Sequence, residues 1–459
     1  MGEPTGESLD EREALENQIG QWRRWVLKRR SITPSDAEEL EDNLRGRVAD
    51  LRACGLDDDE AFLVAVKRMG NLDDVSREFA REHSERLWKQ LVLVPEEPVP
   101  TSRYRELGVV VGLAVAAGLA VKALLATHDG NVLLTNAAFA VLPFLAAYFA
   151  WSRRLPARTS GVLVAVAAVF ALAVNLFPFK DMPPNGLSMT FVLAATHVPV
   201  VLWLLLGVAY TGGAWREDAR RMDFVRFTGE QLIYVALIAL GGGLLLGLTA
   251  GTFAIVNVDI SPFYQDWLMP FAVPGAFLVA AWLVEAKKNV IENMAPVLTR
   301  VFTPLTIVML GAMLVVLLAN GSLISVNRDL LILMDAVLVL VLALLLYSIS
   351  ARDPLAPPTT FDWLQLVLVV AAFAVNGVAL TAMVTRIAEF GWTANKTAAL
   401  GLNIVLLIHL VWTGRQLLGF LRGTRGFAAT ERWQTRYLPV YAAWAGVVVL
   451  VFPPAFSFA

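Results

Sequence analysis

The sequence predicts an all-α protein: a polytopic bundle of about eleven membrane-spanning helices, preceded by a small cytoplasmic helical domain. The chain has 459 residues, of which 57% are hydrophobic and only 17% charged, a smaller charged share than soluble proteins of this size carry. The charges concentrate in residues 1–106, which hold 24 acidic and 17 basic residues. Apolar runs of 17 to 27 residues recur through the rest of the chain, and such lengths match the hydrocarbon thickness of a bilayer.

Residues 1–92 are expected to form the cytoplasmic helical domain. Three apolar stripes at helical spacing predict its first three helices: Leu15, Ile19, Trp22 and Val26; Leu40, Leu44, Val48 and Leu51; and Phe62, Ala65, Val66 and Met69. Pro34 suits the first position of the second helix, and Asp57 with Glu60 forms a capping-box pattern at the third. A fourth helix is expected after Asn71.

The run Ala37–Phe79 combines an acidic helix, a Gly-Leu-acidic turn and an "EAF…A" helix. In these features it resembles the bacterial permease-prefix and HAAS-type helical domains. Members of that group precede membrane domains, and some occur with transcriptional regulators or transport machinery. The turn Met69-Gly70-Asn71-Leu72 lacks the Asp-Pro pair of the family. The resemblance covers under a fifth of the chain, and it implies a docking module for a cytoplasmic regulator or an ATPase, without catalysis.

Residues 93–106 contain three prolines and are expected to form a semi-stiff linker to the transmembrane domain, 107–459. The predicted spans of that domain are about 107–126, 132–151, 160–178, 187–210, 231–257, 268–285, 301–320, 329–349, 362–385, 398–415 and 437–453. The lipid bilayer is therefore the expected environment of most of the chain.

The distribution of basic residues predicts the orientation of the spans. Loops on the side of the N-terminal domain hold 16 Lys and Arg residues and the opposite loops hold 4, which favours a cytoplasmic N-terminus. With eleven spans the C-terminus then lies outside. The acidic N-terminus lacks the apolar run of a signal peptide. Arginine outnumbers lysine 30 to 8, a composition typical of GC-rich bacteria, so the bacterial cytoplasmic (inner) membrane is the expected location.

The span Gln231–Asn257 carries no charge, and Gly243, Gly247 and Gly251 recur in it every four residues. This spacing places the three glycines on one helix face, where a second helix backbone can approach closely. We therefore expect this span to form the centre of the bundle and Gly247→Leu to break its packing. The preceding segment, Ala214–Glu230, predicts a basic amphipathic helix on the membrane surface, with an ordinary positively charged loop as the alternative.

Apart from charges at the end residues of spans, two charged residues lie inside predicted spans, where a charge is costly and marks a candidate functional site. Asp335 lies about two turns into the eighth span, and Lys122 lies at a similar depth in the first. The matching depth suggests that the two residues pair. The alternatives are a hydrogen bond between helices for Asp335 and extension of Lys122 to the interface.

Neutral polar residues supply the other candidates. His197 and His409 lie within the fourth and tenth spans, where they could carry protons or join helices through hydrogen bonds. Asn376 and Asn403 lie in the ninth and tenth spans. Together with Thr381, Thr385 and His409 they could line a small polar path, or they could join helices through hydrogen bonds.

Enzyme signatures are absent from the sequence: it contains no Walker motif, no HExxH and no GxSxG. We expect no catalytic residues, no cofactor and no metal site, since the chain has one cysteine and four histidines. Direct nucleic-acid binding is not expected, because the soluble domain is acidic overall. The run Arg386–Lys396, RIAEFGWTANK, resembles a segment of the bacterial membrane family called domain of unknown function 4153, in which proline and arginine often replace Ala394 and Lys396.

These observations leave two functional hypotheses. The first is a sensory or regulatory membrane protein whose N-terminal domain docks a cytoplasmic partner. The alternative is a permease, secondary transporter or transporter component that uses the buried polar residues of the bundle. The docking resemblance favours the first, and the polar residues within the spans favour the second.

Overall fold

The computed structural model describes residues 15–23 except 17 and 21, and 34–53, 56–68, 101–180, 186–255, 257–286, 294–319 and 328–459. The regular secondary structure of these residues is helical, with no strand, which confirms the all-α class. The chain divides into two compact units, residues 1–99 and 100–459.

The first unit contains helices α1 (Pro34–Ala53) and α2 (Asp58–Arg68), with helical residues also between 15 and 23. Helix α1 begins at Pro34, as expected. The carboxylate of Asp57 caps α2 by accepting a hydrogen bond from the backbone N–H of Glu60 at 2.7 Å. The predicted stripes converge on one apolar cluster: Leu15, Ile19, Trp22, Leu44, Val48, Leu51, Ala61 and Ala65. Val26, Met69, the side chain of Val66 and the predicted fourth helix lie outside the described residues.

The described residues of the second unit form a bundle of eleven long helices. They are α3 (Thr101–Leu125), α4 (Gly130–Ser152), α5 (Ala157–Leu176), α6 (Met189–Tyr210), α7 (Asp218–Ile255), α8 (Met269–Ala286), α9 (Met294–Ala319), α10 (Arg328–Ser350), α11 (Thr360–Phe390), α12 (Ala394–Leu421) and α13 (Ala428–Leu450). Helices α3 to α12 are long and apolar enough to cross a membrane. Helix α3 begins within the expected linker, directly after the last proline of that segment, since a chain free of proline can enter a helix.

The contacts made by loops and helix ends lie at two opposite ends of the bundle. We call the end at which α3 begins the proximal end and the other the distal end. Proximal contacts include Arg153 Nη2–Glu285 Oε2 (2.7 Å), Arg226 Nε–Ser350 O (3.0 Å) and Arg436 Nη2–Asp218 Oδ2 (3.1 Å). Distal contacts include Lys122 Nζ–Asp266 O (2.7 Å), Asn395 Nδ2–Met189 Sδ (2.9 Å) and Thr190 N–Ala459 O (3.0 Å).

Helix α13 is less apolar than the ten others, yet it runs the length of the bundle. Its first two turns contact α7 at the proximal end through Arg436. The chain end that follows α13 is bonded at the distal end, where Lys180 N donates to Phe458 O at 3.0 Å. The chain therefore traverses the bundle an odd number of times, in agreement with the eleven helices expected.

The bundle has two halves, each with its own core. In the first half α3, α4, α6 and α8 bury an aromatic-rich cluster that includes Tyr148, Phe149 and Tyr210. In the second half α9 to α12 bury a mainly aliphatic cluster. Helix α13 joins the halves, because Leu438 belongs to the second cluster while Val449 packs with α5 and α6.

Helix α7 corrects two expectations. It is one continuous helix of 38 residues, so the segment expected to lie on the membrane surface instead forms its first turns inside the bundle. There Met222 and Val225 pack in the core of the second half, and Phe224 and Phe227 in that of the first. The amphipathic pattern of these turns thus reflects burial between protein helices.

The expectation that the glycine stripe forms the centre of the bundle is wrong for the described residues. A Cβ placed on Gly243, Gly247 or Gly251 would meet no described atom within 4 Å. The flanking leucines are 63–72% exposed at positions 240, 244, 245 and 248. This half of α7 is apolar on all sides, so its sequence suits lipid as well as a helix neighbour, and glycine spacing alone does not decide between them.

Candidate functional site

A cavity of about 730 Å³ lies between the two halves of the bundle. Helices α4, α6 and α8 form one wall, and α10, α12 and α13 form the other. Its lining residues come from the middle turns of these helices: Ala137, Ala138, Val141, Leu142, His197, Pro199, Val200, Trp203, Leu204, Phe277, Val339, Leu342, Leu402, Leu406, Tyr441, Trp444 and Ala445. The cavity is partly open to the outside of the bundle and its wall is almost entirely apolar. Its size is in the range of small-molecule sites.

His197 is the one cavity-lining histidine. Its Nδ1 lies 2.8 Å from the carbonyl oxygen of Leu193, one turn earlier in α6. Since a carbonyl only accepts, Nδ1 carries the proton and the lone pair is left on Nε2. Nε2 has no hydrogen bond to a described residue, so His197 gives the apolar lining a free hydrogen-bond acceptor.

His409 lies behind the cavity in a closed network between α12 and α13. Its Nδ1 is 2.6 Å from the hydroxyl of Tyr441, and its Nε2 is 2.5 Å from Gln434 Oε1. The Gln434 amide donates to Thr413 Oγ1 at 3.0 Å, and the Thr413 hydroxyl donates to the carbonyl oxygen of His409 at 2.8 Å. The donors and acceptors alternate consistently when Nε2 donates and Nδ1 accepts from Tyr441. His409, Thr413 and Gln434 are fully buried, so this network holds two helices together.

Tyr441 connects the network to the cavity, because its ring lines the cavity and its hydroxyl bonds His409. The two histidines predicted as candidates are thus close to the same space in different roles. His197 contributes to the wall, and His409 acts through Tyr441.

A second polar cluster joins α10, α11 and α12. Asn403 Nδ2 donates to Asp335 Oδ1 at 2.7 Å, and Asn376 Nδ2 donates to Asn403 Oδ1 at 3.0 Å. Asn376 and Asn403 are fully buried, and Asn376 Oδ1 has no partner among the described residues. Asp335 is one turn from Val339 on α10, so the cluster adjoins one end of the cavity.

The expected pair between Lys122 and Asp335 is not formed. Lys122 Nζ instead donates to the carbonyl oxygen of Asp266 at 2.7 Å and lies 3.5 Å from the ring centroid of Trp267. Helices α3 and α10 belong to different halves of the bundle, and equal depth does not fix lateral position. The cation of Lys122 is stabilised by a carbonyl and an aromatic face at the distal end.

The expected continuous polar path is also absent from the described residues. Thr381 is exposed and Thr385 half-buried, and each donates to a carbonyl oxygen four residues earlier in α11. Asn376 and Asn403 belong to the Asp335 cluster, and His409 belongs to the Tyr441 network. The polar residues therefore form two separate clusters, which include α12 at Asn403 and at His409.

Sequence reasoning missed several residues of this region, chiefly Gln434, Tyr441 and Thr413. Gln434 and Tyr441 are seven residues apart, and His409 and Thr413 are four apart, spacings that place each pair on one helix face. Gln434 lies outside the predicted span 437–453, so this spacing does not stand out from hydropathy. Arg352 also lies outside the predicted spans, and it donates to the buried carboxylate of Asp362 at 2.7 Å.

Among the described residues, no three His, Cys, Asp or Glu side chains converge on a metal-binding position. Comparisons with protein-family models, with curated proteins and with solved structures find no match. The candidate site therefore rests on the geometry of this chain alone.

Proposed function

We propose that this integral membrane protein is a sensory or regulatory protein that binds an apolar molecule of the bilayer between the two halves of its bundle. The N-terminal helical unit docks a cytoplasmic partner, which is a transcriptional regulator or an ATPase. We place the protein in the bacterial inner membrane with the proximal end towards the cytoplasm, as the basic loops favour. The resemblance to the permease-prefix domains supports the docking role.

The cavity between the halves is the observation that carries this proposal. Six helices from both halves line it, so an occupant contacts both halves at once. A ligand shifts a conformational equilibrium by its difference in affinity for the two states. A molecule that fits one arrangement of the halves better than another therefore biases that arrangement, which is the requirement for a sensor.

The experiment that tests this proposal uses the full chain in lipid nanodiscs as bait in a solubilised extract of the source membrane. Two variants accompany it: the chain without residues 1–99, and Val339→Trp, which places an indole ring in the cavity. We expect a regulator or ATPase to be captured by the wild type, lost with the truncation and changed at least threefold in amount by Val339→Trp. Capture that neither variant alters contradicts the proposal.

A transporter remains the second candidate, favoured by the Asp335–Asn403–Asn376 cluster. Ionisable residues within a bundle often belong to ion or proton pathways. The variant Asp335→Asn keeps an oxygen that accepts from Asn403 but cannot exchange a proton. In proteoliposomes with a pH-sensitive dye, a transporter predicts proton flux in the wild type and its loss in Asp335→Asn at unchanged thermal stability. The sensor proposal predicts no flux in either protein.

A further inference from the structure

We infer that the cavity takes an uncharged long-chain alcohol, whose hydroxyl group donates a hydrogen bond to His197 Nε2. This inference deepens the proposed function and rests on it, because it names the chemical class of the molecule bound between the halves. Three properties of the cavity lead to it: the absence of charge, the type of polar atom on its wall, and its depth in the bundle.

The wall excludes a charged ligand. None of the seventeen lining residues is Asp, Glu, Lys or Arg. Burying a carboxylate, phosphate or ammonium group without a counter-charge is strongly unfavourable. Fatty acids, phospholipid headgroups and amines therefore do not match this cavity.

The polar atoms on the wall are acceptors. His197 Nε2 carries a lone pair because Nδ1 donates to Leu193 O. The hydroxyl group of Tyr441 donates its proton to His409 Nδ1, so its oxygen has lone pairs left that can accept a hydrogen bond. The indole N–H of Trp203 already donates to Thr228 Oγ1 at 3.2 Å. The indole N–H of Trp444 has no hydrogen-bond partner among the described residues, but it is buried and presents no surface to the cavity. The ligand must therefore supply the donor, and a hydroxyl group does so without a charge.

The depth of the cavity makes this hydrogen bond the source of selectivity. The lining residues lie on the middle turns of helices that cross the membrane, so the ligand enters from the hydrocarbon layer. Apolar contacts alone give little preference there, because lipid tails are as apolar as the wall. A hydroxyl group drawn from the headgroup layer to this depth stays unpaired unless the cavity supplies an acceptor, so His197 Nε2 is what allows the alcohol to bind here.

The test compares two photoactivatable probes in phosphatidylcholine vesicles that contain the full-length protein. Both are hexadecyl chains with a diazirine and a terminal alkyne; one ends in a hydroxyl group and the other in a methyl ether, which cannot donate. We expect the alcohol to label cavity positions on α6 and α12 roughly tenfold more than the ether, the ratio expected for one buried hydrogen bond. In His197→Phe, labelling by the alcohol falls to the level of the ether, and in His197→Gln, which retains an acceptor, it is largely restored.

Control variants separate the inference from the proposed function. Val339→Trp narrows the cavity and should strongly reduce labelling by both probes, whereas Val316→Trp, on the exposed face of α9, should change neither. Equal labelling by alcohol and ether that His197→Phe leaves unchanged overturns the alcohol inference but leaves the cavity as a ligand site. Labelling by neither probe at cavity positions, in protein of wild-type thermal stability, overturns both.

Discussion

At the scale of single residues, hydrogen bonds between helices explain the polar side chains of the bundle. Hydrogen bonds among His409, Gln434 and Thr413 join α12 to α13. A second chain of hydrogen bonds runs from Asn376 through Asn403 to Asp335 and joins α11, α12 and α10. Each group would otherwise be unpaired in a medium without water, which is costly. The structure thus assigns these residues first to helix association.

Removing His409 should destabilise the bundle. In His409→Leu the hydroxyl of Tyr441 and Oε1 of Gln434 lose their partner, so we expect a loss of about 1–3 kcal/mol in the free energy of unfolding. Denaturation in mixed detergent micelles measures this loss. Ile408→Leu, on an exposed position one residue away, is the matched control. The double variant His409→Leu/Gln434→Leu should lose less than the sum of the single variants; strict additivity would contradict the network.

In the first unit, an ion pair makes the stability of the folded state depend on pH. Arg45 donates from Nη1 and Nη2 to the two carboxylate oxygens of Glu16, at 2.6 and 2.8 Å. This hydrogen bonding lowers the pKa of Glu16 below its ordinary value. A carboxyl group whose pKa is lower in the folded state stabilises that state above the unfolded pKa, and the contribution is lost as the pH falls through the folded pKa.

We therefore expect Glu16→Gln to weaken the first unit at pH 7 but not at pH 2. The effect is at most about 1 kcal/mol, because the pair is exposed. Hydrogen exchange of the α1 amides in the full chain, compared between wild type and variant at the same pH, measures it. Asp42→Asn, on the exposed side of α1, is the control. A difference that persists at pH 2 would be inconsistent with this account.

At the scale of elements, close contact is found at glycines other than the predicted stripe. A Cβ on Gly229 of α7 would overlap the ring of Tyr347 on α10, which is 6% exposed and has little room to move. The close approach of α7 to α10 thus depends on this glycine. A Cβ on Gly247 would meet no described atom within 4 Å beyond its own helix turns.

The two glycines should respond differently to substitution. We expect Gly229→Ala to cost about 1–3 kcal/mol by overpacking. Gly247→Ala should be neutral or stabilising by up to about 1 kcal/mol, because alanine favours the helix. Thermal unfolding in detergent distinguishes them. Equal destabilisation by both variants would indicate that the glycine stripe does form a packing face of the folded chain.

At the scale of the whole molecule, hydropathy predicted the eleven long helices of the described residues, but α7 and α13 begin well before their predicted spans. Helix α13 starts nine residues early because its first turns carry the charged residues Glu431, Arg432 and Arg436. Glu431 is half-buried there, and Arg436 is bonded to Asp218 at the proximal end. Lateral neighbours could not be predicted, since depth along a helix is readable from sequence but position around the bundle is not. The pair expected for Lys122 failed for this reason, and the cavity between the halves has no sequence signal of its own.

The arrangement of the two ends predicts which positions are accessible from each side of the membrane. In a Cys54→Ser background, single cysteines at Val258 and Ser457 lie at the distal end and one at Leu355 at the proximal end, and all three positions are exposed. We expect a membrane-impermeant maleimide to label the first two, but not the third, in intact spheroplasts. If Ser457→Cys is labelled from the same side of the membrane as Leu355→Cys, and Val258→Cys from the other side, the chain does not cross the membrane an odd number of times.

The proposed function requires that an apolar molecule binds in the cavity between the halves. Identifying the natural occupant of the cavity tests this requirement most directly. The measurement is native mass spectrometry of the full chain purified from its own membrane in a mild detergent, for the wild type, Val339→Trp and Val316→Trp. We predict a bound apolar molecule that remains with the wild type and with Val316→Trp and is missing from Val339→Trp. A bound mass that is the same in all three proteins, or absent from all three, would contradict a ligand site between the halves.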